Sequence, residues 1–390
     1  MKKIEGEIFD LKKKKEEKIT RTDKETNDKY RKGEMRIVTE QARYPIKSIK
    51  NMLDDTDDYK LNPEYQRRKR WDNGRKSRLI ESFIMNVPLP PIFLYEYEYS
   101  KFEVMDGLQR LTSIYDFYSE NFVLEGLEYW KELNGKRYSE LPSEVRRGID
   151  RRYISSIILL EETAKTEKEA EKLKQIVFER LNSGGELLTP QETRNALYNG
   201  RFNQLCLKLA KNDKFRKMWQ IPLESDGEEI LLKSEPYRKM EDAQLILRFF
   251  AYRHLDKIIG YTIEDFLDEY LKQANKFSIE TINNLEALFI NTINLVYDVF
   301  GNEAFFMPVI DRAGTKPRKT VYDPLMQSIA KHLEYKNELL KNANDIKKNK
   351  YPKNKIIVDE KRIFDGRSNL HNDVKRRIKY FDKLFEEYKK

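Results

Sequence analysis

Apolar positions along the chain change period from one stretch to the next, and those changes outline its elements. In NGRKSRLIESFIMN, Leu79, Ile80, Phe83 and Ile84 recur at the helical i, i+4 interval, and Asp72 or Asn73 stands where a cap belongs, so a helix is predicted. The three prolines of VPLPPIFLYEYEYS end it. The alternation in IFLYEYEY and then in KFEVMD predicts two strands joined by a short turn. From Gly107 the period returns to helical, with Leu108, Leu111, Tyr115 and Tyr118 at i, i+3, i+7 and i+10.

Further along, RRYISSIILL reads as a buried strand and TEKEAEKLKQIVFERLN as an amphipathic helix. Thr189 with Glu192 three residues later, and Pro190 between them, form a capping box that opens a new helix. Asn182, Ser183, Gly184 and Gly185 are therefore expected in a tight loop between two helices. From about residue 203 the patterns are helical, most clearly in MEDAQLILRFFAYR and NNLEALFINTINLVYDVF. At the other end, residues 1–34 mix both charge signs with few apolar anchors, and a frayed helix or a mobile arm is expected there. ARYPIKSIKNMLDD looks like a strand or turn leading into a helix that ends at Asp54, Asp55, Asp57 and Asp58, carboxylates expected to face water. The fold class is α+β, with a small mixed sheet in the N-terminal half and an all-α C-terminal half. Three parts are expected: a charged arm over 1–42, an α+β domain over 43–200, and a helical domain over 201–390.

Composition narrows the setting. The chain has 390 residues, 36% of them charged, and 20 Phe, 23 Tyr and 3 Trp supply the bulk for a core beneath a charged exterior. No stretch approaches the roughly 20 apolar residues of a membrane span, and MKKIEGEIFDLKKKK lacks the apolar middle of a secretion signal. No membrane partner and a cytoplasmic location are expected. The single cysteine, Cys206, sits at helical spacing with Leu205 and Leu209, where a buried, inert thiol is expected. The formal net charge of +9 is concentrated. Residues 341–379 hold thirteen Lys and Arg against five Asp and Glu, and YQRRKRWDNGRKSR holds seven against one. Both are candidate DNA-facing surfaces, with Arg68, Arg70, Lys375, Arg376 and Arg377 as their expected contacts; two solvated faces are the alternative.

The candidate chemistry lies where the strand VMD meets the helix GLQRLTS. A helix that starts right after a strand leaves its first amides unpaired and carries a partial positive charge there. Such an end suits phosphate. Gly107 lacks the Cβ that would bar close approach, Arg110 can act as a two-pronged clamp, and Gln109 can orient a water or a sugar hydroxyl. Asp106 would repel phosphate unless it holds Mg²⁺ or another divalent cation, or accepts a proton. The alternative is structural: Asp106 caps the helix and Arg110 pairs with it.

NPEYQRRKRW, VPLPPIFLY, FEVMDGLQRLTSIYDFY and FERLNSGGELLTPQETRNAL occur in that order, and together they resemble the N-terminal domain family of GmrSD-type restriction endonucleases. The resemblance implies a ParB/sulfiredoxin-like fold over about residues 43–200, whose hallmark Asp-Gly-Gln-Gln-Arg motif is associated with binding and hydrolysis of nucleoside triphosphates. Here Leu108 stands in place of the first glutamine, which weakens the case for turnover more than that for binding. The resemblance implies Asp106 and Gln109 as catalytic candidates, with Asp106 as the metal ligand. Gln66, Arg67, Gly107, Arg110, Asn182, Gly184 and Gly185 are the implied nucleotide contacts. Histidines 254, 332 and 371 are far apart, so an HNH nuclease centre, which needs clustered histidines, is not expected. Sulfiredoxin chemistry is not expected either, since Cys206 lies elsewhere on an apolar face.

These readings converge on a defence-type protein that binds and hydrolyses a nucleoside triphosphate with Mg²⁺ and engages DNA. Two alternatives remain open: a metal-dependent DNA endonuclease using the same turn, and a non-catalytic nucleotide or DNA sensor. The sensor would act through a partner nuclease subunit, and the basic helical half offers a surface for a homodimer.

Overall fold

The computed structural model describes residues 4–11, 22–32, 37–61, 68, 71–160, 166–181, 188–307, 316–351, 357–358, 361–362, 364 and 371–389. The chain forms two compact units, Glu17–Leu188 and Met1–Glu16 with Thr189–Lys390. Each has its own hydrophobic core. The fold class is α+β, with a mixed five-stranded sheet in the N-terminal half and a predominantly helical C-terminal half.

The α+β unit runs α1 (Asp23–Arg31), β1 (Thr39–Pro45), α2 (Ile49–Asp54), β2 (Tyr59–Lys60), α3 (Asn73–Met85), β3 (Ile92–Glu98), β4 (Lys101–Asp106), α4 (Leu108–Tyr118), α5 (Ser143–Asp150), β5 (Tyr153–Leu159) and α6 (Glu167–Leu181). The strand order is β1-β5-β3-β4-β2. β3 and β4 form an antiparallel hairpin, β5 joins β3 in parallel with Ile92 opposite Ser156, and β1 closes the edge antiparallel to β5. Ile92 and Leu94 of β3 are buried with Ile154 and Ile158 of β5 because the central strands are covered by helices, as their apolar runs require. Leu79, Ile80 and Phe83 of α3 and Leu111, Ile114 and Phe117 of α4 complete that core.

α3 begins where the pattern places it, with the Asp72 carboxylate accepting the Arg75 N–H at 2.7 Å. α4 departs from the expected stripe. Its buried face is Leu111, Ser113, Ile114 and Phe117, with Tyr115 and Tyr118 at the margins. Tyrosines suit a margin, since their rings pack while their hydroxyls stay bonded, here to Asp54 and Asp150 at 3.0 Å each. Glu81, on α3, is buried and accepts the N–H groups of Glu128, Tyr129 and Trp130 at 3.3, 2.8 and 3.0 Å. Three amide donors replace the lost water around its charge and fix the long connection between α4 and α5.

The helical unit contains α7 (Pro190–Leu197), α8 (Arg201–Leu209), α9 (Asp213–Trp219), α10 (Glu228–Lys233), α11 (Glu235–Arg238), α12 (Glu241–Ala251), α13 (Ile263–Ala274), α14 (Ile279–Phe300), α15 (Lys319–Lys331), α16 (Lys336–Lys341), α17 (Ala343–Lys348) and α18 (His371–Glu386). Thr189 caps α7 with the reciprocal Glu192 bonds of a capping box. Its core is aromatic: Phe202, Phe249, Phe250, Phe289 and Tyr322 are all at most 1% exposed. Cys206 lies among them with 0% exposure, and burial pushes its thiol well above the ordinary value. Two short strands, β6 (Ile357–Val358) and β7 (Lys361–Arg362), pair antiparallel inside the stretch whose pattern reads as helical.

The charged arm expected over residues 1–42 is not one element. Residues 4–11 pack on the helical unit, where Phe9 is 1% exposed, α1 is a separate capped helix, and β1 already starts at Thr39. A few strong anchors, Glu7 and Phe9 above all, hold a segment whose average composition is polar. No helix of the described residues is long and apolar enough to cross a membrane.

Candidate functional site

The strand-to-helix turn is built around Gly107. Its φ of 92° lies in the left-handed region, and a Cβ there would come within 2.5 Å of Ile92 Cγ2 on the adjoining strand. Glycine is required on both counts. α4 then starts at Leu108 with no side chain capping it. Its first-turn amides and the positive end of its dipole stand beside the Asp106 carboxylate.

Arg110 reaches back across this turn. Its Nη2 donates to Asp106 Oδ2 at 2.8 Å, and its Nη1 donates to the carbonyls of Pro91, at 3.3 Å, and Pro90. Prolines present carbonyls without a competing N–H, so PLPP supplies acceptors and the guanidinium ties the approach to β3 onto α4. The Arg110 side chain is 12% exposed and that of Asp106 is 43% exposed. Burial draws the guanidinium below its usual value, and the Asp106 charge and hydrogen bond offset part of that. Gln109 is engaged as well, its Oε1 accepting the Trp71 N–H at 3.0 Å and holding the chain just before α3.

The structure thus brings Asp106, Gly107, Gln109 and Arg110 together and gives each an internal role: acceptor, turn residue, chain anchor and clamp. The carbonyls of Pro90 and Pro91 and the amide of Trp71 complete the constellation. Sequence patterning missed them because backbone groups carry no residue-type signal, although consecutive prolines two strands before an Asp and Arg spaced i, i+4 offer a hint. Gln66, Arg67, Arg70, Asn182, Gly184 and Gly185 lie outside the described residues.

The expected DNA contacts separate. Arg377 is a correction: it is 0% exposed, on the inner face of α18 with Val374, Ile378, Phe381 and Phe385, and cannot contact DNA from there. The i, i+3, i+4, i+7 run through 374, 377, 378 and 381 is the signal that identifies that face. Arg68, at 4% exposure, is likewise buried and is not a surface contact. Arg376 is exposed and pairs with Asp373 at 3.1 Å, while Lys375 is half-buried.

Among the described residues no group of three or more His, Cys, Asp or Glu is arranged to hold a metal ion. The histidines have separate duties: His254 Nε2 is 3.0 Å from Glu7, and His332 Nδ1 is 2.8 Å from the Ser328 carbonyl.

A mixed sheet feeding a helix through a glycine turn, followed by an aromatic-cored helical unit, defines a two-part α+β protein. Residues 49–199 match the family model described as GmrSD restriction endonuclease, N-terminal domain. No curated protein and no solved structure was found that matches the chain. The matched stretch opens at α2 and ends just past α7, so its last helix packs as part of the helical unit.

Proposed function

We propose that this is a restriction- or defence-type protein acting on DNA, and that the β4–α4 turn binds the phosphates of a nucleoside triphosphate for hydrolysis. The domain family supports the coarser part. The finer part is supported by one observation: a half-exposed carboxylate and a guanidinium are paired at an uncapped helix start behind a positive-φ glycine. Ligand binding replaces Arg110's internal acceptors, Asp106 and the two proline carbonyls, with phosphate oxygens, and the first amides of α4 hold a second set.

Asp106 is a single accessible carboxylate, a donor set that suits Mg²⁺ where phosphate oxygens and water complete the coordination. The cation, when bound, supplies neutralisation of phosphate charge. Gln109 acts by holding Trp71, which ties the chain just before α3 to the turn. Phosphoryl transfer relies on such positioning and charge, which fits a turn without cysteine or histidine.

A second reading, binding without turnover and signalling through a partner nuclease, is favoured by Leu108 at the motif position and by the engagement of Gln109. Thermal-shift measurement across ATP, GTP, CTP and UTP with Mg²⁺, followed by phosphate release, separates these. The expected result is a rise of several degrees with at least one nucleotide, lost in Asp106→Asn, which keeps a hydrogen bond to Arg110 but not the charge. Binding without phosphate release assigns the sensor role. Plasmid nicking with metal and no nucleotide, absent in Asp106→Asn, assigns an endonuclease instead. No shift with any of the four and no nicking would remove the turn from the function.

A further inference from the structure

The first described residues of the chain form neither helix nor strand, yet they are held on the helical unit by a set of contacts that reads an extended peptide. Glu7 and Phe9 point inward while Ile8 between them is 72% exposed, the in-out-in alternation of an extended segment. Glu7 enters a charged socket. Arg253 binds it through Nε at 3.1 Å and Nη2 at 2.7 Å, His254 Nε2 lies 3.0 Å away, and the Tyr270 hydroxyl donates at 3.1 Å. Phe9 enters an aromatic socket, with ring centroids of His254, Phe266 and Tyr270 at 5.4, 5.6 and 5.2 Å.

Main-chain atoms of the same segment are read by side chains of the unit. Gln273 accepts the Asp10 N–H at 3.1 Å and donates to its carbonyl at 2.8 Å, Thr281 donates to the Glu5 carbonyl at 3.0 Å, and Lys257 donates to the Phe9 carbonyl. Lys257 also meets the Asp10 carboxylate at 3.1 Å. Gly6, at φ 78°, lies so close to Thr281 that a Cβ would come within 2.2 Å of its hydroxyl. Backbone bonds read along an extended segment, with pockets for alternate side chains, are how peptide-binding grooves gain both affinity and specificity.

From this we infer that the helical unit carries a recognition cleft for an extended Gly-Glu-x-Phe-Asp peptide, occupied in cis by residues 6–10. The partner it fits in trans is the same segment of a second copy of this chain. The groups are complementary in charge, a glutamate and an aspartate against Arg253 and Lys257, and the segment's internal backbone bonds are limited to the turn contacts Glu7 N to Ile4 O and Ile8 N to Gly6 O. Its fit therefore resides in the five-residue motif, and an isolated peptide carries it. The inference is independent of the β4–α4 turn.

The experiment weakens the cis segment in the full chain and offers the segment back. Gly6→Ala forces its end away from Thr281, and a fluorescein-labelled peptide of residues 4–11, IEGEIFDL, is titrated by polarisation. Saturable binding to Gly6→Ala is expected, with the unaltered chain at least about tenfold weaker because its own segment competes. Adding Arg253→Ala, or replacing the peptide's phenylalanine by alanine, should weaken binding by more than about a hundredfold, the scale of an unpaired buried charge or a lost aromatic anchor. No saturable binding to a cooperatively melting Gly6→Ala chain, or equal binding to the unaltered chain, overturns the inference. If Gly6→Ala does not fold, Phe9→Ala serves in its place with the same outcomes. Failure of both to fold makes residues 4–11 part of the core and overturns it as well.

Discussion

Two carboxylate–guanidinium pairs, one in each unit, use the same groups to different ends. Asp106 and Arg110 are four residues apart, and the carboxylate is 43% exposed. Glu7 and Arg253 are separated by 246 positions, and their side chains are 3% and 4% exposed. Water competes for the first pair and keeps its net worth small, whereas the second exists only where packing has excluded water and hydrogen bonds to Glu7 from Arg253, His254 and Tyr270 have replaced it. The first can exchange partners by a local side-chain rotation; the second exchanges only if a whole segment leaves. The turn and the clasp thus differ in exposure and chain separation rather than in residue type.

The contrast can be broken most forcefully at Arg253. Arg253→Ala leaves the Glu7 carboxylate buried without its main partner, and a loss of about 3–5 kcal/mol is expected in denaturant unfolding of the full chain. A loss under about 1 kcal/mol would show that the clasp is as solvent-exchangeable as the turn. Next in size is Gly107→Ala, which combines a positive φ with the contact to Ile92, for an expected cost of about 2–3 kcal/mol in the same measurement. A neutral result would mean that the turn relaxes freely and that glycine serves ligand approach alone.

The smallest effect is in pH. Burial alone would raise the Glu7 carboxyl, but the hydrogen bonds from His254 and Arg253, with their charges, outweigh it and hold the group below the ordinary 4.5. A carboxylate lowered by folding contributes stability that is fully present above its unfolded value and lost as pH falls through the folded one. The groups facing it are Arg253, His254 and Tyr270. The stability gap between the unaltered chain and Glu7→Gln should therefore be constant above about pH 5 and narrow steadily below pH 4.5. A gap that stays constant to pH 3 would mean that Glu7 is not held as a charged group.

What could be read in advance from the chain follows from how local each feature is. The helix after Asp72, the β3–β4 hairpin, the capping box at Thr189 and the strand-glycine-helix turn all depend on residues within a few positions of one another, where period, capping and backbone freedom act. Arg377 shows the limit: a basic triplet reads as a surface until the stripe of Val374, Ile378 and Phe381 is weighed against its charge. Arg110 was legible as a partner of Asp106, but not as a ligand of the Pro90 and Pro91 carbonyls.

The amino-acid order by itself determined the α+β class, the short-range elements and the place of the turn, because hydrophobic period and caps act over one or two turns of chain. Tertiary structure alone decided that residues 4–11 join the helical unit, that Arg377 is interior, and how far each ion pair is shielded. Those outcomes depend on which distant surfaces exclude water from a charge, a quantity set when the chain packs and carried by no local pattern.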